Sequence, residues 1–179
     1  MTYQGSPKDV YFFPETFNSP VTRELIERIG NPKFLYFGKS FNQPLDDLPE
    51  NIVSICLEES IDFDHPLDNL PQKLNYLNIG GYYFNRPIDF LPPDLKDLYL
   101  PENFNQPLNN LPRSLEYLNC GVFFNQPLNN LPDGLKKLRL CGLRYKYDLL
   151  NLPDSLEKLE IYGGRSFLGK IKEGITPIL

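Results

Sequence analysis

The sequence predicts a right-handed parallel β-solenoid with a non-helical back, and three observations predict it. An aromatic residue recurs at Phe17, Phe41, Phe63, Phe84, Phe104, Phe124, Tyr145 and Phe167, with a spacing of 20 to 24 residues. An apolar L-x-x-L-x-L phrase follows at a fixed offset in each period, as in Leu115/Leu118/Cys120 and Leu135/Leu138/Leu140. At least two prolines, such as Pro107 and Pro112, fall in each of the middle connecting segments. A fixed period of this length marks a chain that stacks one coil on the next.

The apolar phrase supplies the strand. Its last two apolar residues are two positions apart, so they point inward from a strand while the residue between them points out. The successive phrases are Ile52/Ile55/Leu57, Leu74/Leu77/Ile79, Leu95/Leu98/Leu100, the two above and Leu156/Leu159/Ile161. This is the strand phrase of a leucine-rich repeat. Strands that recur in one direction need a crossover, and here the crossover is F-N-x-P-L-x-x-L-P. Its prolines forbid a long helix, so the architecture expected is of the α/β horseshoe class with an extended convex side and modest curvature. Three segments follow, all within one structural domain: an N-terminal cap with worn repeats over 1–40, repeats over 41–166, and a C-terminal cap over 167–179.

The cap holds the one helix expected. In Ser19-Pro20-Val21 followed by TRELIERIG, Ser19 reads as the N-cap, Pro20 as the first turn, and Gly30 with Pro32 as the stop, over about ten residues. Leu25, Ile26 and Ile29 form its apolar side. Strand-like pairs Tyr11/Phe13 and Leu35/Phe37 flank it.

Within the repeats each invariant residue has a structural task. The spine Phe41, Phe63, Phe84, Phe104 and Phe124 should stack as one buried aromatic column. The Asn after it, at Asn42, Asn85, Asn105 and Asn125, can donate and accept between coils; Asp64 and Lys146 depart from it, and Lys146 should end the ladder. Glycines after the strands (Gly38, Gly80, Gly121, Gly142, Gly163) suggest turns with positive φ.

The phrases FGKSFNQPL at Phe37–Leu45 and CGVFFNQPL at Cys120–Leu128 resemble the FNIP repeat, a leucine-rich-repeat variant with an FGxxFN signature. Successive copies run from Phe37 to about Gly164, and the chain looks like the type found in slime moulds and in giant viruses of protists. The resemblance implies a parallel solenoid with a Phe spine and no catalytic residues. Some members carry an F-box, which implies recruitment of ubiquitin-ligase substrates; residues 1–40 offer one short helix, so here such an adaptor would lack its own F-box.

Composition narrows the function. With 18 Lys and Arg against 23 Asp and Glu the net charge is −5, and no basic run offers a surface for nucleic acid. No long apolar window suggests a membrane span, and the start MTYQGSPKDVYFFPE has no secretory pattern. Three cysteines without C-x-x-C spacing form no disulfide framework, which fits a cytoplasmic location, that of the host if the source is viral. Cys120 reads as a core residue; Cys56 and Cys141 fall on outward positions.

His65, the one histidine, stands where other copies have Gln and reads as a solvent-facing turn residue. It has no Ser, Cys or second ligand partner for a triad or zinc site. Asp62, Asp64 and Asp68 lack the glycine and terminal Glu of a calcium loop. No cofactor or metal is therefore expected, and no enzyme activity. What remains is the outward sheet face, where Tyr76, Tyr99, Tyr117, Asn119, Lys137 and Arg139 supply the residue types enriched at protein interfaces. Stacking of those tyrosines to steady the sheet is an equal and compatible reading. The expected function is a noncatalytic scaffold binding an unknown protein through its concave sheet. The alternative is self-assembly through a solenoid end, for example a homodimer through the terminal strand Val10–Phe13.

Overall fold

The computed structural model describes residues 7–141, 145–162 and 169–178. Eight strands form one parallel sheet in sequence order: β1 (Val10–Phe12), β2 (Phe34–Tyr36), β3 (Ser54–Cys56), β4 (Tyr76–Asn78), β5 (Asp97–Tyr99), β6 (Tyr117–Asn119), β7 (Lys137–Cys141) and β8 (Lys158–Tyr162). Each pairs with the strand of the next coil in the register that the repeats imply, Leu77 opposite Leu98, Leu98 opposite Leu118 and Leu118 opposite Leu138. The strands are short, but pairing runs one residue further. Phe37, Leu57, Ile79, Leu100 and Cys120 each donate their N–H to a carbonyl of the next coil.

Both corners of a coil are explained by its repeated residues. The second proline of each crossover accepts a hydrogen bond from the N–H three residues on, as Pro112 does from Leu115 and Pro132 from Leu135. That turn aims the chain into the strand. A second turn after the strand places the spine residue, with Phe104 N–H donated to Pro101 O and Phe124 N–H to Gly121 O. Proline thus limits the crossover to extended and turn conformations, and no helix forms there among the described residues.

The helix of the cap, α1 (Arg23–Arg28), is shorter than its sequence signals suggest. Thr22 caps it, its Oγ1 accepting from the Leu25 N–H at 3.2 Å; Ser19 does not. Thr22 is the residue with extended backbone directly before the first helical turn, which is what a cap requires. Ile26 is fully buried, whereas Leu25 and Ile29 are only partly covered. Gly30 and Asn31 take positive φ and end the helix, Asn31 donating its N–H to Ile26 O. No helix among the described residues is long and apolar enough to cross a membrane.

The spine is continuous. Phe41, Phe63, Phe84, Phe104 and Phe124 are all fully buried, and consecutive centroids lie 6.2, 6.1, 6.3 and 6.4 Å apart with nearly parallel planes. Phe17 extends the column at one end and Tyr145 at the other. Phe167 lies outside the described residues.

The amide ladder beside it is also present, and longer than expected. The side-chain oxygens of Asn85, Asn105 and Asn125 accept from the N–H groups of Asn105, Asn125 and Lys146, and Asn42 serves Asp64. Asn18 adds a further rung below Asn42. Lys146 receives the rung but has no oxygen to extend it; the next position lies outside the described residues. The residue after each Asn contributes a second bond, Gln106 and Gln126 donating to the carbonyls of Asn85 and Asn105. Asn105→Ala leaves the Asn125 N–H without its acceptor and should destabilise the fold by ~1–3 kcal/mol, read from urea unfolding.

Glycine acts here through space rather than through φ. Gly38, Gly80 and Gly121 do not take positive φ. A Cβ on Gly80 would lie 2.0 Å from Glu58 Cα, and one on Gly121 1.8 Å from Pro101 O. These glycines let one coil's backbone touch the next. Gly142 and Gly163 lie outside the described residues. At the far end the tail stacks on the last coil through parallel bridges, Ile178 with Glu160 and Ile171 with Leu149.

Candidate functional site

The outward face of the sheet carries two columns of side chains. The first runs Phe34, Ser54, Tyr76, Asp97, Tyr117, Lys137, Lys158; the second runs Tyr36, Cys56, Asn78, Tyr99, Asn119, Arg139, Glu160. Strand alternation puts them there, because Leu77, Leu98 and Leu118 between them point into the core and are fully buried.

Tyr76, Tyr99 and Tyr117 come together as one cluster. Tyr99, on β5 in the second column, touches both neighbours, with ring centroids 5.4 Å from Tyr76 and 4.8 Å from Tyr117, tilted by 46° and 41°. The three are half-buried. Burial pushes all three hydroxyls up, that of Tyr99 to about 12, so they remain protonated donors at neutral pH. The rings brace three adjacent strands and still present edges to solvent, so the two readings of the tyrosines coexist in geometry.

Beside them lie charges of both signs. Asn119 sits in register between Tyr99 and Arg139. Arg139 places its guanidinium 4.1 Å above the Tyr162 ring and its Nε 3.8 Å from Glu160. Lys158 pairs with Glu160 as well, and this bond holds the Glu160 carboxyl below its usual range. Lys137 is exposed and makes no ion pair with another described residue. The C-terminal end of the face is therefore mixed, with Lys137 its most available cation. Tyr162 escaped the sequence argument because it follows the apolar triplet rather than lying within it.

Two outward or turn positions differ from expectation. Cys56 lies in the second outward column yet is buried, because Tyr36 and Tyr76 flank it on the adjoining strands. Burial raises its thiol, and raises Cys120 in the core still further, which disfavours the reactive thiolate in both. Cys141, at the end of β7, is half-buried. His65 is half-buried rather than solvent-facing: its Nε2 lies 3.1 Å from Asn42 O and its ring packs against Phe63. It performs the inter-coil task of Gln106 and Gln126, which a neutral imidazole with its proton on Nε2 can do. Of the nearby carboxylates, Asp64 is held by both Nε and Nη2 of Arg86 at 2.9 and 3.0 Å. Among the described residues no three His, Cys, Asp or Glu side chains converge as a metal site would require.

Parallel coils, a stacked phenylalanine spine, an inter-coil asparagine ladder and an open sheet face define a solenoid repeat protein. The chain belongs to the FNIP repeat family: the FNIP Repeat profile matches residues 63–103, 84–123 and 124–163. These matches span more than half of the 179 residues. The coil of β2 and Phe41 lies before the first match and has the same spine and ladder geometry. A comparison with curated proteins gave no match.

Proposed function

We propose that the chain is a noncatalytic repeat scaffold that binds a protein partner through the outward face of its sheet. The observation that carries this reading is the contact cluster of Tyr76, Tyr99 and Tyr117, half-exposed at the centre of the face. Tyrosines braced by neighbours lose little side-chain freedom on binding, and each offers a hydroxyl at the edge of an apolar ring. Asn119 adds an adaptable amide beside them. Lys137, with Arg139 behind it, favours an acidic feature on the partner, by steering more than by affinity.

The test is capture of the partner from lysate by immobilised protein, comparing wild type with Tyr99→Ala/Tyr117→Ala. Both side chains sit on the sheet surface, so the variant should keep its circular dichroism while losing affinity at least about tenfold, the scale of a hot-spot truncation. A folded double variant that captures the same partner equally well would overturn the reading.

One observation favours a second reading. Phe12 on the terminal strand β1 is 69% exposed, with one face stacked on Tyr36. At the other end Ile178 already bonds to β8. An exposed aromatic on an edge strand suits pairing with a second copy.

A further inference from the structure

A furrow runs beside the tyrosine face, along the C-terminal ends of the central strands. Its main part encloses about 640 Å³ between Glu58 and Asn119. A second part of about 340 Å³ continues it through Glu102 and Asn119 to Arg139 and Tyr162. The floor is backbone at Gly80, Gly81 and Gly121. The close approach of coils that demands glycine at Gly80 and Gly121 also leaves no side chain to fill the space above them.

The walls have a definite chemistry. Tyr82 and Tyr83 stand on the outer side in an edge-to-face pair at 5.2 Å, and both are exposed together with Ile61. Glu58 and Glu102 are exposed and make no ion pair with a described cation. Asp64, Glu116, Asp154 and Glu160, by contrast, are each paired across coils or along a strand. The Glu58 carboxylate accepts a long bond of 3.4 Å from Asn78 Nδ2. Unpaired carboxylates beside exposed phenol rings form a surface for a cation, which gains from both charge and ring face.

Spacing says what kind of cation. Glu58 and Glu102 are two coils apart, roughly 10 Å at the usual strand separation. Three residues of extended chain cover about the same length. The geometry points to a docking groove for an extended basic peptide of a protein partner, with Arg or Lys side chains three residues apart against Glu58 and Glu102. The proposal rests on the scaffold reading above; of the tyrosine cluster only Tyr99 also lines the furrow, and the partner segment it takes has the opposite charge to the feature favoured by Lys137.

The experiment titrates isotope-labelled protein with a capped peptide of four Arg-Ser-Ser repeats, and separately with its Glu-Ser-Ser counterpart, following backbone amides by NMR. The arginine peptide should shift Gly80, Gly81 and Gly121 and leave Gly134 in place; the glutamate peptide should shift none of them. Glu58→Gln/Glu102→Gln should weaken binding at least about tenfold. Asp133→Asn/Glu157→Gln, the same charge change at exposed sites elsewhere, should stay within about twofold. The proposal is overturned if the arginine peptide shifts no furrow amide, or if both double variants weaken it equally, which is general attraction to an acidic protein. Tyr76→Ala/Tyr117→Ala separates the two surfaces. Peptide binding that survives this variant supports the furrow alone, and peptide binding lost with it moves the peptide to the tyrosine face and overturns the furrow.

Discussion

Phe104→Ala should destabilise the protein by ~3–5 kcal/mol, the cost of deleting a fully buried ring and leaving its cavity. The ring sits between Phe84 and Phe124, so the variant removes two stacked contacts at the middle of the column. In a solenoid each coil is held by its neighbours alone, and a gap in mid-column weakens coupling between the two halves. Normal domains hold together by ~5–15 kcal/mol, so this loss is a large share. Phe17→Ala, at the half-buried end of the same column, should cost clearly less. Urea unfolding of both variants gives the comparison directly; equal and small losses would mean the rings do not form one buried column.

The second large effect is expected at a residue with no side chain. Gly80→Ala should cost ~3 kcal/mol or more, at or beyond the upper end for overpacking. The new methyl would lie 2.0 Å from Glu58 Cα and 2.8 Å from Glu58 N and C. These are backbone atoms just past the β3–β4 pairing, tied by the Leu57 N–H to Asn78 O and the Gly81 N–H to Glu58 O, so no side-chain rotation relieves the clash. The coils must separate, and the hydrogen bond from the Gly81 N–H to Glu58 O must stretch with them. Gly134→Ala is the control, since its added Cβ meets only Arg113 O at 3.3 Å. Thermal unfolding should show a marked drop for Gly80→Ala and little change for Gly134→Ala. Equal stability would mean that the coils are further apart than described.

Periodicity made much of this legible before any coordinates. Once Leu98, Leu118 and Leu138 are aligned, the partners of every strand follow, and so do the two outward columns with Tyr76, Tyr99 and Tyr117 near their centre. Burial of Phe104 follows from the same alignment, because a large ring repeated at one offset has to stack somewhere dry. What periodicity lacks is the distance between coils. Gly80 reads in sequence as a turn residue because glycine permits positive φ; only the separation from Glu58 shows that it is there to be small. Cys56 reads outward by alternation, and nothing in alternation says that Tyr36 and Tyr76 will cover it. His65 reads in sequence as a substitute for Gln in a turn, and the substitution is one of function, since both reach the carbonyl of the coil before. Thr22 and Ser19 are both good caps in sequence, and the choice depends on where the chain turns into α1. The furrow was invisible for the same reason as the glycine contacts. Its floor is backbone, and its walls come from Glu58, Tyr82 and Glu102, residues of different coils that no single repeat brings together.

A single copy of the solenoid is expected to present its sheet face to a different protein. Molar mass in solution, by size-exclusion chromatography with light scattering over a wide concentration range, tests it most directly. The mass expected is 20.8 kDa throughout. A stable multiple of that mass, returned to 20.8 kDa by Phe12→Lys, would contradict it and make pairing of β1 with a second copy the working state of the protein.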